Sequence, residues 1–95
     1  MTQFRVSKAL AKAGISPEKQ GLIFFTCLNI KLLDDQTKNK ILNTCMKVGR
    51  EDYQALYRFL TDPYVNHVYI CNEYYISKSK LFKIKKKFYL KFSEN

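Results

Sequence analysis

The fold is decided by residues 65–92, which read VNHVYICNEYYISKSKLFKIKKKFYLKF. Two short helices joined by a sharp turn touch at few points, so they need apolar or small side chains at fixed offsets. In this stretch Ile70 is the inward residue of the first helix, and Cys71 is the small residue where the two helices cross. Ile76 closes the turn, and Leu81 and Ile84 form the i, i+3 apolar pair of the second helix. The pattern predicts a helix-turn-helix over residues 65–92.

Two features of this stretch leave its local structure open. Residues 67–76 are rich in Tyr, Val and Ile, which favour a strand by propensity, but the spacing favours a helix. The turn position, where glycine is usual, holds Tyr75. We therefore expect either a longer turn or a strained Tyr75.

The second helix has a natural start and two distinct faces. Ser77 is a suitable N-cap, because its hydroxyl can accept the N–H of Ser79 or Lys80. Leu81, Ile84 and Phe88 follow i, i+3, i+7 and predict a buried stripe. We also favour a core position for Phe82 and leave Tyr89 open as core or rim.

The positive charge is concentrated at this helix. The chain has a net charge of +9 and a pI near 9.6. Residues 78–95 hold seven of the lysines and one acid, whereas residues 1–77 hold ten basic and seven acidic residues. A basic stripe confined to one element is typical of a polyanion-binding protein, although a solvated lysine face is the simpler alternative.

The lysine pattern predicts how the helix would meet double-stranded DNA. The first turn and a half of such a helix normally faces base edges, so we predict base contacts by Lys78, Ser79, Lys80 and Lys83. Positions around and beyond it suit phosphates, so we predict phosphate contacts by Ser77, Lys85, Lys86, Lys87 and Lys91. This segment contains no arginine, so most of the affinity should be electrostatic. Six engaged phosphates would give a log–log salt slope of about −5.

The preceding residues read as further helices. We predict them at residues 4–13, Pro17–Leu33, Gln36–Val48 and Glu51–Leu60. Their boundaries are given by helix-terminating Gly14 and Gly49, capping Ser16 and Asp34 or Asp35, and the Thr61-Asp62-Pro63 break. Residues 1–95 are thus expected to form one all-α domain, a small helical bundle ending in the helix-turn-helix.

One predicted helix is apolar around most of its circumference. Residues Gly21–Leu33 include nine apolar side chains, interrupted only by Thr26, Asn29 and Lys31. Such breadth is typical of a helix covered by its neighbours or by another chain. We therefore expect either a central position in the bundle, or a homodimer or protein partner bound through Gly21–Leu33.

The helix-turn-helix stretch resembles a known family. Residues 69–89, with Ile76-Ser77-Lys78-Ser79 and the lysine run after it, are similar to sigma region 4-like helix-turn-helix regulators, and most of all to ArpU/RinA-type late transcriptional regulators of phages. The resemblance covers about the last thirty residues. It implies a sequence-specific DNA-binding regulator of a phage or mobile element, with Ser79, Lys80 and Lys83 in the groove.

Catalytic and metal-binding roles find little support in the sequence. Cys27, Cys45 and Cys71 are widely spaced and have only His67 for company, whereas a zinc site needs about four ligands. There is no glycine-rich phosphate loop, and no nucleophile–base pair is evident. We expect no enzyme activity, no metal and no cofactor.

Location and rival functions follow from the same features. Unpaired cysteines within apolar runs suggest a reduced, cytoplasmic setting, and no segment reaches the ~18 apolar residues of a membrane span. The main alternative to DNA binding is a protein-interaction module of a phage or mobile element that binds RNA polymerase or another regulator. RNA or an anionic membrane surface ranks lower, since Leu81, Ile84 and Phe88 are assigned to the core.

Overall fold

Helices account for all the regular secondary structure in residues 4–94, the part of the chain that the computed structural model describes. Two short 3-10 turns, Ile30–Leu32 and Arg50–Asp52, lie between helices. The six α-helices are α1 Lys8–Lys12, α2 Pro17–Leu28, α3 Asp35–Gly49, α4 Tyr53–Thr61, α5 His67–Tyr74 and α6 Lys78–Ser93. The prediction of a small all-α bundle is confirmed.

The core lies where α6 packs against α3, α4 and α5. Leu81 and Phe88 of α6 have no exposed surface, and Ile84 is 5% exposed. The predicted stripe is therefore buried, as spacing along a 3.6-residue helix requires. It meets fully buried side chains of the other three helices, namely Ile41, Leu56 and Ile70.

α5 and α6 are joined by a three-residue turn. Asn66 caps α5 through a 2.9 Å bond from the Tyr69 N–H, so residues 67–74 are helical despite their β propensity. Tyr75 then adopts the left-handed conformation, at φ 55° and ψ 42°. Of the two alternatives for the turn, the strained Tyr75 is correct. Ser77 caps α6 by accepting the Lys80 N–H at 3.1 Å, as predicted.

The N-terminal helix is shorter than predicted, starting at Lys8 instead of residue 4. Ser7 is extended and caps it, accepting the Leu10 N–H. The backbone of Ser7 is in turn held by the Gln20 side chain, which accepts its N–H at 2.8 Å and donates to its carbonyl at 3.1 Å. Gln20 is 1% exposed and also donates to Ile15. A buried amide thus anchors the segment before α1 to α2.

α2 also ends earlier than predicted, at Leu28 instead of Leu33. Asn29 is its C-cap, and both its backbone N–H and its side-chain amide donate to the Phe25 carbonyl, at 3.1 and 2.7 Å. A 3-10 turn over Ile30–Leu32 follows. Because apolar residues lie on both sides of Asn29, the spacing of apolar residues in the sequence did not reveal this break.

Gly49, at the junction between α3 and α4, does not adopt the left-handed conformation that is usual for a glycine ending a helix. Gly49 ends α3, as predicted, but its φ is −89°, and the left-handed position falls on Arg50, at φ 51°. A Cβ at Gly49 would lie 3.4 Å from Tyr53 Cβ and 3.9 Å from Ile84 Cδ1. These are ordinary van der Waals distances, so Gly49 is required here neither for close approach between helices nor for a positive φ.

Several large apolar side chains are exposed. Leu22 and Phe25 of α2 are 68% and 52% exposed, so this helix is not central in the single chain. Met46 of α3 is 46% exposed and is not among the buried residues of that helix. The core position favoured for Phe82 is wrong: the side chain is 37% exposed, with its ring edge-on to Phe59. Tyr89 is core, at 3%.

The strain at the turn predicts that Tyr75→Gly will stabilise the fold. Tyr75 is 95% exposed, so removing its ring costs no packing. Glycine adopts the left-handed region without the Cβ clash, which costs roughly 1–2 kcal/mol, and part of that gain is offset by the entropy of the unfolded chain. We expect urea unfolding, followed by circular dichroism, to give a free energy of unfolding higher by about 0.5–1 kcal/mol.

Tyr75→Ala is the matched control for this experiment. It removes the same ring but keeps the Cβ, so its stability should stay close to that of the parent chain. An equal gain in both variants, or a loss in Tyr75→Gly, would contradict a left-handed Tyr75.

Candidate nucleic-acid-binding surface

α6 is oriented by its buried stripe, and its opposite face is open to solvent. Leu81, Ile84 and Phe88 point into the bundle. Ser79, Lys83 and Lys86 follow i, i+4, i+7 on the other side and are all exposed. A single helix therefore presents a polar, basic strip over two turns.

Four of the seven lysines of α6 carry uncompensated charge. Within residues 4–94 they make no ion pair, and each is exposed: Lys78, Lys83, Lys86 and Lys87. Like charges this close on one helix raise the local potential and attract polyanions. These four lysines and Ser79 are called the basic face below.

Lys80, a predicted base contact, is directed back toward the protein. Its ammonium lies 2.7 Å from Asp52 Oδ2 and 3.6 Å from Glu51 Oε1, both in the turn between α3 and α4. Hydrogen bonding and charge attraction from Asp52, followed by Glu51, raise the pKa of Lys80. Asp52 Oδ2 is itself shielded from solvent. The pair therefore fastens the first turn of α6 to the α3–α4 junction.

Lys85, a predicted phosphate contact, is half-buried among aromatic rings. Its ammonium lies 5.5 Å from the ring centres of Phe59 and Phe82 and 5.9 Å from that of Tyr89. It has no acidic partner within residues 4–94, and burial lowers its pKa. This cation faces the protein and not the basic face.

The remaining predicted contacts occupy the two ends of α6. Lys91 pairs with Glu94 at 3.7 Å, within the last turn. Ser77 is exposed, and although its oxygen caps the helix, its O–H is still available as a donor. The basic face is thus flanked by one hydroxyl at its start and one paired lysine at its end.

Sequence reasoning did not find the partners of Lys80 and Lys85. Asp52 precedes Lys80 by 28 positions in another element, and Phe59 belongs to α4. Neither pair shows a local spacing signal. Arg5 was also missed as a neighbour of α6: it lines the same cleft as Lys85 and Lys86.

Two of the three thiols are shielded from solvent. Cys27 and Cys45 are buried, and burial raises the pKa of both thiols. A search of the described part of the chain finds no cluster of three or more His, Cys, Asp or Glu side chains able to hold a metal ion. None of the helices seen there is long and apolar enough to cross a membrane.

Comparison with known proteins returns no relative of this chain: no family model, no curated protein and no solved structure matches it.

The environment of Lys85 predicts a pH-dependent effect of Lys85→Met. With its folded pKa lowered, Lys85 loses its proton in the folded chain before the unfolded chain does, so its destabilising effect is complete at neutral pH and fades as the pH approaches about 10.4. We expect Lys85→Met to be more stable than the parent chain at pH 7, because it removes the cost of holding a charged group partly out of water. This difference should shrink toward pH 10.4 in urea unfolding experiments.

The difference in free energy of unfolding between the parent chain and Lys85→Met reports on Lys85 alone. Tyr89, whose pKa is raised by burial, titrates in both proteins. Lys87→Met, at an exposed position of the same helix, should show no pH-dependent difference. A Lys85→Met protein that is less stable at pH 7 would contradict the buried, unpaired ammonium.

Proposed function

We propose that this protein is a small DNA-binding transcriptional regulator whose helix α6 enters the major groove. The observation that carries the proposal is the basic face: four unpaired lysines and Ser79 on the solvent side of a helix whose other side is locked into the core. A helix held in this way can be inserted into a groove without losing its own packing.

The connection between α5 and α6 supports the same proposal. A helix, a three-residue turn with a left-handed residue and a second, exposed helix is the arrangement of DNA-binding helix-turn-helix motifs. The resemblance to sigma region 4-like regulators points to the same residues. In this proposal Ser79 and Lys83 face bases, and Lys78, Lys86 and Lys87 face phosphates or the groove edge.

The ion pair of Lys80 changes the set of DNA contacts predicted from the sequence. We assign Lys80 a positioning role, since its ammonium ties the start of α6 to Asp52. Lys85 and Lys91 are likewise turned to internal partners. The three free lysines assigned to phosphates give a log–log salt slope of about −2.7, shallower than the −5 expected from six phosphates.

Lys83→Ala with Lys87→Ala tests the proposal. This variant removes one base-facing and one phosphate-facing cation, so binding should weaken at low salt, and the lost Lys87 phosphate contact should flatten the salt slope by about 0.9. Fluorescence anisotropy with duplexes selected from a random pool, measured between 50 and 200 mM salt, gives both quantities. The fold should persist, because both side chains are exposed.

Lys12→Ala with Lys31→Ala is the matched control. It removes the same net charge from exposed positions outside α6. If the two double variants lose affinity equally, binding reflects net charge alone. If the α6 variant keeps the parent slope, α6 is not the DNA-binding element.

The second candidate is a protein-interaction module, favoured by exposed apolar side chains around the end of α2. Leu32 and Tyr64 are 84% and 87% exposed, and both line a groove of about 910 Å³ between the end of α2 and α4. Exposed patches of this kind mark interaction sites. Two copies with +9 each repel one another, so the partner that fits best is an acidic protein such as a polymerase subunit or another regulator.

Leu32→Ser with Tyr64→Ser separates the two candidates. If DNA binding is the function, elution from heparin should be unchanged, and light scattering should show a monomer before and after substitution. A salt-resistant complex with an acidic protein that is lost in this variant but kept in Met46→Ser would favour the interaction module instead. A parent dimer dissolved by the variant would assign the groove to a second copy.

A further inference from the structure

A second feature of α6 is a cleft on the side of Lys85. It measures about 760 Å³ and lies between the segment before α1, the start of α5 and the middle of α6. Its size is typical of small-molecule sites, which span roughly 300–1,000 Å³. It is distinct from the groove at the end of α2, with which it shares no lining residue.

The walls of the cleft combine aromatic rings with positive charge. Phe4, Phe24 and Phe59 contribute rings from three different parts of the chain. Arg5, Lys85 and Lys86 contribute cations, and no aspartate or glutamate lines the cleft. An apolar site with convergent cations and no counter-charge favours a ligand that brings the missing negative charge.

Lys85 is the focus of this charge imbalance. Its ammonium is partly removed from water and contacts three ring faces or edges, at 5.5 to 5.9 Å from their centres. Ring quadrupoles stabilise a cation only partly compared with a carboxylate. A half-buried ammonium without an anion is thus poised to bind one strongly.

We propose that this cleft binds a small organic anion, with a carboxylate or sulfonate against Lys85 and an aromatic or aliphatic body among the phenylalanine rings. A free inorganic phosphate satisfies only the charge and leaves the rings unfilled. A duplex phosphate is strongly hydrated and carries no apolar body to fill the cleft. The rings therefore assign the site to an amphipathic small molecule.

The position of the cleft connects it to α6 without depending on DNA binding. Phe82 and Lys86 line the cleft, and Lys86 also belongs to the basic face. An anion seated there reduces the positive potential of that face. Binding of the anion itself can be measured without DNA, so the failure of this proposal and that of the proposed function are distinguishable.

The gap between the anchored N-terminal segment and α6 is maintained by a buried amide. Gln20, which lines the cleft, holds the Ser7 backbone by two hydrogen bonds. Phe4 packs on Phe24 at 5.3 Å between ring centres. The wall opposite Lys85 is therefore fixed in place before any ligand arrives.

Titration of the full chain with 8-anilinonaphthalene-1-sulfonate tests the proposal, because this dye is an amphipathic organic anion. We expect saturable 1:1 binding with enhanced fluorescence, weakened about tenfold or more in Lys85→Met. Lys87→Met should bind as the parent does. The neutral dye N-phenyl-1-naphthylamine should bind the parent and Lys85→Met alike, since it uses only the rings.

Amide chemical-shift mapping of the dye on the parent chain locates the site independently of any variant. Shifts centred on residues 4–7, 65–67 and 82–89 support the proposal, and shifts centred on the α2–α4 groove overturn it. Retention of the anionic dye by Lys85→Met within twofold, or an equal loss in Lys87→Met, also overturns it. Displacement of the dye by inorganic phosphate as effectively as by decanoate would show a simple phosphate site and reject the organic anion.

Discussion

The packing of Leu81, Ile84 and Phe88 against α3, α4 and α5 is the constraint on which the rest of the structure depends. These side chains are almost completely buried. Rotation of α6 about its axis would expose them, which costs on the order of 1.5–3 kcal/mol for each side chain. The orientation of every lysine on α6 follows from this packing, since side-chain direction along a helix is set by its 100° step.

Once α6 is oriented, its lysines divide into chemically different groups. Lys78, Lys83, Lys86 and Lys87 remain hydrated and unpaired, so they create the positive potential that supports the proposed DNA contact. Lys80 is held by Asp52, and Lys85 lies among aromatic rings. Side chains of one residue type thus act as a charged surface, a structural tie and a candidate ligand site.

The same helix links two proposed roles. Phe82 and Lys86 lie between the basic face and the cleft, so the charge bound in the cleft changes the electrostatic potential of the basic face. Lys85 and Lys86 are neighbours in the chain, so their Cα atoms are about 3.8 Å apart, less than the Debye length of about 8 Å at physiological ionic strength. An organic anion at Lys85 would therefore act on DNA contacts through electrostatics, with no change in backbone conformation required.

The sequence by itself determined the helices, their caps and the buried stripe of α6, because these depend on local spacing and on hydrogen bonds across three or four residues. It also located the excess charge. Only the tertiary structure decided which lysines keep that charge free, since Asp52 and Phe59 reach Lys80 and Lys85 from other elements. It likewise decided that Leu22 and Phe25 stay exposed and that α2 ends at Asn29. Burial depends on which side chains pack opposite, and an apolar segment of sequence does not specify them.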